Sequence, residues 1–306
     1  MTERSYVKAL VGDGVPLLLA AAAALAGFGA FAVFLAATGD FLPHDVHYLG
    51  LTARQLCEVA DCRVVDFMVH DRAAFGGALL GLAAMYGWLA LFPLRDGQRW
   101  AWWIFVVSGI TGFGSFLAYL GFGYLDTWHG IGSLLLVPLY WGGVVRTRGL
   151  VKRNVVEWPT RRQLGRLVLL AGALGTFAGG TAILAVGLTD VFVPEDLEFI
   201  GMASDELRAV NPRLVPLIAH DRAGFGGAVL TLGLVTAGSL ACSRLDRSLW
   251  EAIAIAGGLS LTAAIGTHLF VDYTDIGHLL PALTATASLV VGLALAIPFR
   301  RVGQDP

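Results

Sequence analysis

Long apolar runs separated by short polar clusters organise this chain. Runs near the roughly 20 residues needed to cross a hydrocarbon core fall at 16–38, 73–94, 101–125 and 128–145, and again at 167–188, 223–241, 249–271 and 276–299. The pattern predicts eight transmembrane helices, four in each half. The first run follows Arg4 and Lys8, as the apolar stretch of a signal peptide would. It aligns, however, with the internal run that ends in "GLTD" at Asp190, and is therefore read as a retained span.

The two halves repeat each other. "HDRAAFGGALLGL" from His70 recurs as "HDRAGFGGAVLTL" from His220, "FLPHDVHYLG" from Phe41 matches "FVPEDLEFIG" from Phe192, and Asp126 with His129 matches Asp275 with His278. A period this long does not fit a solenoid; it fits duplication of a whole bundle with an even number of spans, which gives parallel repeats. The expected fold is an all-α membrane protein of eight spans in two tandem, pseudo-symmetric four-helix bundles. They cover residues 1–150 and 167–306, joined by a basic linker at 151–166.

Composition agrees with the pattern. The chain is 56% hydrophobic and 14% charged, with 39 glycines and a mean hydropathy of +0.70, whereas a soluble domain carries about a quarter charged residues. No phosphate-binding lysine loop is present and nucleic acid is not a sensible partner; the lipid bilayer is. Of the 21 basic residues, 15 fall at the N-terminus, the C-terminus and alternate loops, and six (Arg54, Arg63, Arg72, Arg208, Arg213 and Arg222) on the opposite side. Short loops rich in Lys and Arg stay in the cytoplasm, so both termini are expected there, in a plasma-type membrane. Every histidine then lies at or just below the outer face.

Candidate chemistry gathers at that face. The fourth run has only 15 uncharged residues, 131–145, which draws His129 and Asp126 toward the hydrocarbon, where ionisable groups usually face a partner or ligand. The second and fourth helices of each half begin outside, so His70 can meet His129 and His220 can meet His278. Such imidazole pairs across a bundle suit axial ligation of a b-type haem. Gly76, Gly77, Gly81, Gly226 and Gly227 admit either a flat macrocycle or a neighbouring helix. Arg72 and Arg222 can bind haem propionates or neutralise Asp71 and Asp221.

A rival reading is a non-haem centre for Zn, Fe, Mn or Cu. His44, Asp45 and His47 align with Glu195, Asp196 and Glu198, so ligand capacity survives the change of residue type. With His70, Asp71, Asp126 and His129 they supply the first half. His268, Asp272, Asp275, His220, Asp221 and His278 supply the second. A third reading is a transporter or structural subunit without a cofactor. Cys57 and Cys62 suit a disulfide in an outer loop, either a staple or a redox-active pair, while Cys242 stands alone near the cytoplasmic end of a span.

The chain resembles the haem A synthase family, whose members carry eight spans in two four-helix repeats with histidines at the outer ends of the second, fourth, sixth and eighth helices. The matching positions are His70, His129, His220 and His278, and Cys57 with Cys62 precede the second span as the family's loop cysteines do. The resemblance implies a haem-binding oxidoreductase or electron-transfer protein working with a redox partner or quinone. Two features depart from it. The family's catalytic Glu, three residues before the first His, is Phe67 here, with Asp66 one step back. Asp71 and Asp221 also stand between each His and its Arg, where the family has none. Asp66, Asp71 and Asp221 are thus the carboxylates expected to carry a chemistry of this chain's own.

Overall fold

The computed structural model describes residues 11–122, 127–152 and 163–296, omitting the side chains of 118, 119, 127–129 and 163. Helices account for nearly all of it, and no strand occurs among the described residues. The first half runs α1 (Val15–Thr38), two short helices α2 (Pro43–Leu49) and α3 (Ala53–Val59), then α4 (Cys62–Leu89, prolonged by a π turn at Ala90–Leu94). It continues with α5 (Arg99–Phe116, prolonged by a 3-10 turn at Leu117–Phe122) and α6 (Thr127–Thr147). The second half repeats the order as α7 (Gln163–Leu188), α8 (Pro194–Ile200), α9 (Ser204–Val210), α10 (Leu214–Cys242), α11 (Arg247–Phe270) and α12 (Ile276–Leu295).

Seven described helices, α1, α4, α5, α7, α10, α11 and α12, are long and apolar enough to cross a membrane, which marks a multi-pass membrane protein. Their outward faces carry large apolar side chains: Phe34, Leu167 and Leu269 are exposed, as lipid contact requires. Most of the basic linker, 153–162, lies outside the described residues.

Local sequence explains the short helices between the spans. Pro43 and Pro194 open α2 and α8, where a missing N–H costs nothing. Asp45 and Asp196 accept the backbone N–H of Leu42 and Val193 at 3.2 and 2.8 Å. Gly50 and Gly201 close the same helices at φ 71° and 74°, a conformation glycine adopts without strain. In α3, Thr52 and Gln55 form a reciprocal capping box. The Cys57–Cys62 disulfide then pins the end of α3 to the start of α4.

Two helices form the core. In α4 and α10, 67% and 61% of the membrane-length window is buried, against 11% to 31% in the other five, so the rest of the bundle is built around this pair. Each central helix lies against the first span of its own half and the third span of the other half: α4 packs on α1 and α11, α10 on α7 and α5, and the two touch each other. This corrects the expectation of two separate tandem bundles. Close backbone approach makes the arrangement possible. A Cβ on Gly76 would stand 2.7 Å from the Gly29 carbonyl oxygen, and one on Gly29 equally close to that of Gly76. Gly77 and Gly81 face Ala256, Ser260 and Ala263 of α11, so the GxxxG spacing serves helix packing.

A second correction concerns helix starts. The central helices begin at Cys62 and Leu214, about three turns before the apolar runs at 73 and 223. They continue through polar sequence because its charges are answered inside the protein. His70 and Asp71 are accordingly 2% and 1% exposed, within the helix rather than in its first turn. The basic turns gather at the opposite end, where Lys152 N–H donates to the Gly97 carbonyl at 3.1 Å and Trp88 Nε1 to Ser248 Oγ at 2.9 Å.

Replacing Gly76 by Val forces α1 and α4 apart. A loss of about 1–3 kcal/mol is expected, read as a lower Tm in detergent, while Gly87→Ala, with nothing within 4 Å of the added carbon, leaves Tm unchanged or slightly raised.

Candidate metal centre

Three imidazoles meet at the end of the core that carries the short helices. His70 comes from α4, His268 from the last turn of α11 and His278 from the first turn of α12. Their ring centroids lie 4.3 Å (His70–His268), 5.2 Å (His268–His278) and 5.6 Å (His70–His278) apart. One ligand atom from each falls within 4.8 Å of the others.

Each Nδ1 already has a partner. His70 Nδ1 meets Asp71 Oδ1 at 3.0 Å, and His268 Nδ1 donates to the Tyr273 carbonyl at 2.8 Å. His278 Nδ1 meets the Tyr273 hydroxyl at 3.1 Å, and that hydroxyl donates to Asp196 Oδ1, also at 3.1 Å. A carboxylate and a carbonyl only accept, and a hydroxyl already donating must accept from His278. All three rings are thereby held as Nδ1–H tautomers with Nε2 lone pairs available, the device by which proteins orient metal-binding imidazoles. Nε2 of His70 and Nε2 of His268 stand 3.0 Å apart. Two lone pairs at that distance repel unless a cation, a proton or a metal ion, lies between them.

The supports of these rings are charged and buried. Arg222 of α10 grips Asp196 through both terminal nitrogens, donates to the Val191 carbonyl at 2.9 Å and brings Nε to 3.4 Å from Asp71 Oδ2. Val191 adopts φ 70°, a conformation that costs a non-glycine residue about 1–3 kcal/mol and here aims its carbonyl at Arg222. The Phe67 ring lies 4.9 Å beneath the guanidinium and stacks on His70. Burial works to raise the Asp196 pKa, but the hydrogen bond and charge of Arg222, with the Val193 N–H, hold it below the ordinary carboxylate range. Burial, reinforced by the Asp196 charge, raises the Tyr273 phenol far above its usual value, so it stays protonated and able to donate.

A matching constellation lies across the central pair. His220 Nδ1 meets Asp221 Oδ1 at 3.0 Å, and Arg72 joins Asp221 Oδ2 and Asp45 Oδ2, each at 2.8 Å. Each central arginine thus binds the short-helix aspartate of its own half and the central-helix aspartate of the other half.

Several expected sites are redistributed by this geometry. His278 lies with His70 and His268, not in an axial pair with His220, because α11 packs on α4 and α12 packs on α11. The side chain of His129, and Asp126 altogether, lie outside the described residues. Asp71 and Asp221 orient histidines and bind arginines. Asp66 is half-buried, feels the charge of Asp61 and is not part of the three-histidine group. Asp275 caps α12 by accepting the His278 N–H at 2.7 Å. Asp272, His47, Glu195 and Glu198 are exposed and outside the three-histidine group, while His44 lies 3.6 Å from Asp45. Tyr273 was missed, as was the structural weight of Asp45 and Asp196. The signal was present: of the trio aligned at 44, 45 and 47 only the middle residue is unchanged at 195, 196 and 198, and "YLDTWH" from Tyr124 matches "YTDIGH" from Tyr273 in its Tyr as well as its Asp and His.

A haem fits this cluster poorly. Axial ligation places one imidazole on each face of the macrocycle, about 4 Å from nitrogen to nitrogen, whereas the closest pair here is at 3.0 Å with rings 4.3 Å apart. A single ion bound at about 2.0–2.1 Å per nitrogen needs pairs only about 3.4 Å apart, a small adjustment.

Arg222→Ala strands Asp71 and Asp196 in the interior and should cost about 3–5 kcal/mol, seen as a large fall in Tm, whereas Arg208→Ala, at an exposed pair with Asp205, should shift Tm little. Because Asp196 titrates lower folded than unfolded, its stabilisation is complete above about pH 4 and is lost as pH falls through the folded value. Tm should therefore drop on acidification below about pH 4, and drop less steeply in Asp196→Asn.

No family model, curated protein or solved structure matches the chain.

Proposed function

We propose that this is an eight-span protein of a plasma-type membrane, with α6 as the eighth span and both termini cytoplasmic, that binds a transition-metal ion near its outer face through His70, His268 and His278. The observation that carries the proposal is the 3.0 Å approach of two Nε2 atoms whose rings already donate through Nδ1. Imidazole nitrogen suits zinc and copper better than magnesium, calcium or manganese, which prefer oxygen. Three histidines leave a tetrahedral ion one open position, the arrangement of catalytic rather than structural zinc. A bound ion would supply Lewis acidity there. The chain's own groups would orient the ligands: Asp71 behind His70, the Tyr273 carbonyl behind His268, and the Tyr273 hydroxyl with Asp196 behind His278. Because protons compete for the same Nε2 atoms, affinity should weaken as the medium becomes acidic. The distribution of basic residues supports the orientation, and the short spacing of the imidazoles favours a single ion over a haem-linked oxidoreductase.

Metal analysis and an optical spectrum of the purified protein test the assignment. Stoichiometric metal without a Soret band, lost in His70→Ala and His268→Ala, is the expected result; a Soret band, or no binding after loading with Zn2+ or Cu2+, overturns it. Tyr273→Phe, which frees the His278 ring, should weaken Zn2+ binding about 10- to 100-fold in chelator competition while the protein stays folded.

A further inference from the structure

The two halves fill their interiors differently. Repeated contacts fix which residues correspond: Gly14 against Gly143 recurs as Gly165 against Gly292, Gly143 against Leu18 as Gly292 against Leu169, and Gly109 against Tyr140 as Gly257 against Leu289. In the first half, four aromatic rings occupy the space between α1, α4, α5 and α6. The Tyr140 ring centroid lies 5.6 Å from that of Tyr86, 6.0 Å from Phe105 and 5.3 Å from Phe113. Both hydroxyls are answered inside the protein: Tyr86 donates to Ser108 Oγ at 2.9 Å and Tyr140 to the Phe105 carbonyl at 2.6 Å.

At the positions corresponding to Tyr86, Phe105, Phe113 and Tyr140 the second half has Thr236, Ile253, Leu261 and Leu289. None carries a ring, and a cavity of about 90 Å3 lies there between α7, α10, α11 and α12. Two further lining positions are smaller than their counterparts, Thr176 for Leu25 and Ser288 for Leu139. A hydroxyl in a membrane helix usually bonds within the protein. Thr176 donates to the Gly172 carbonyl and Ser260 to that of Gly77, each at 3.0 Å. Thr236 and Ser288 line the same cavity but make no hydrogen bond with another described residue.

We propose that this cavity binds a small phenol, a single aromatic ring bearing one hydroxyl, taken up from the bilayer. The ring occupies the place that tyrosine rings hold in the first half, and its hydroxyl pairs with Thr236 and Ser288. An apolar cavity of roughly 150 Å3 admits benzene, so one ring is the largest body this smaller space accepts. A lipid chain would fill the apolar part but leave both hydroxyls unanswered, which is costly away from water. The site is independent of the histidine cluster.

Fluorine magnetic resonance of the full-length protein in detergent, with para-fluorophenol and fluorobenzene as probes, tests the proposal. A bound para-fluorophenol resonance is expected with the native protein and is lost in Thr236→Tyr and in Leu289→Tyr, which restore the first half's rings. In Thr236→Val with Ser288→Ala, which keeps the space but removes both hydroxyls, para-fluorophenol should bind about 2- to 10-fold more weakly, and fluorobenzene should be unaffected. Filling variants on two different helices guard against misfolding of either, and an unchanged or raised Tm identifies folded protein. No bound resonance in the native protein, or one that persists in the folded filling variants, overturns the site. Fluorobenzene binding as tightly as para-fluorophenol overturns the phenol and marks a hydrocarbon site instead.

Discussion

Crossed ion pairs between the two central helices are the constraint on which the end of the molecule with the histidine cluster depends. Arg72 reaches Asp221 and Arg222 reaches Asp71, so the repeated His-Asp-Arg triplets are interlocked across α4 and α10. Removing such charges from water costs several kcal/mol per ion, and only well-placed partners recover it. The recovery is shared: Asp45 and Asp196 reach in from the short outer helices to complete each arginine, which fixes those helices over the core. Away from that end each central helix is held to its flanking spans by glycine-mediated contact, α4 to α1 and α11 and α10 to α7 and α5, so charge joins the central pair at one end while small residues join it to its neighbours.

That arrangement makes the histidine cluster possible. An imidazole in a helix interior has several rotamers and two tautomers; the surrounding groups remove both freedoms. Asp71 chooses the His70 tautomer and is itself held by Arg222. Tyr273 serves two rings at once, through its carbonyl to His268 and its hydroxyl to His278. Phe67 and Phe199 stack on the site, limiting water near the imidazoles and strengthening each electrostatic contact. The three imidazoles, drawn from both halves of the chain, are therefore orientated by groups outside the cluster.

Much of this was legible before any coordinates. Polar triplets at the mouths of apolar runs need partners, so "HDR" at His70 and His220 marked the end of the bundle where charged groups gather, and the position of Cys57 and Cys62 suited the disulfide found there. The partners themselves were not legible. Apolar periodicity shows that a helix is buried but not which neighbour buries it, and α11 crossing to α4 is what delivers His268 and His278 to His70 rather than to His220. Helix starts were misplaced for a related reason: the polar stretch from Cys62 to Arg72 looks like a loop until Asp45 and Asp221 answer Arg72 and Arg222 answers Asp71. Tyr273 escaped notice because a tyrosine in a short interfacial turn usually needs no special explanation.

The division of each arginine's partners bears on how the chain is made. Arg72 has one aspartate, Asp45, from its own half and one from the other; Arg222 is likewise supplied by Asp196 at home and Asp71 across the interface. Helices enter a bilayer largely as separate units and associate afterwards. During synthesis the first half is therefore able to neutralise its arginine at once, before the second half has left the ribosome, and to wait in the membrane with only one carboxylate unanswered. Arrival of α10 then exchanges a tolerable intermediate for a locked one, so the pairs made within each half serve insertion and the crossed pairs serve assembly.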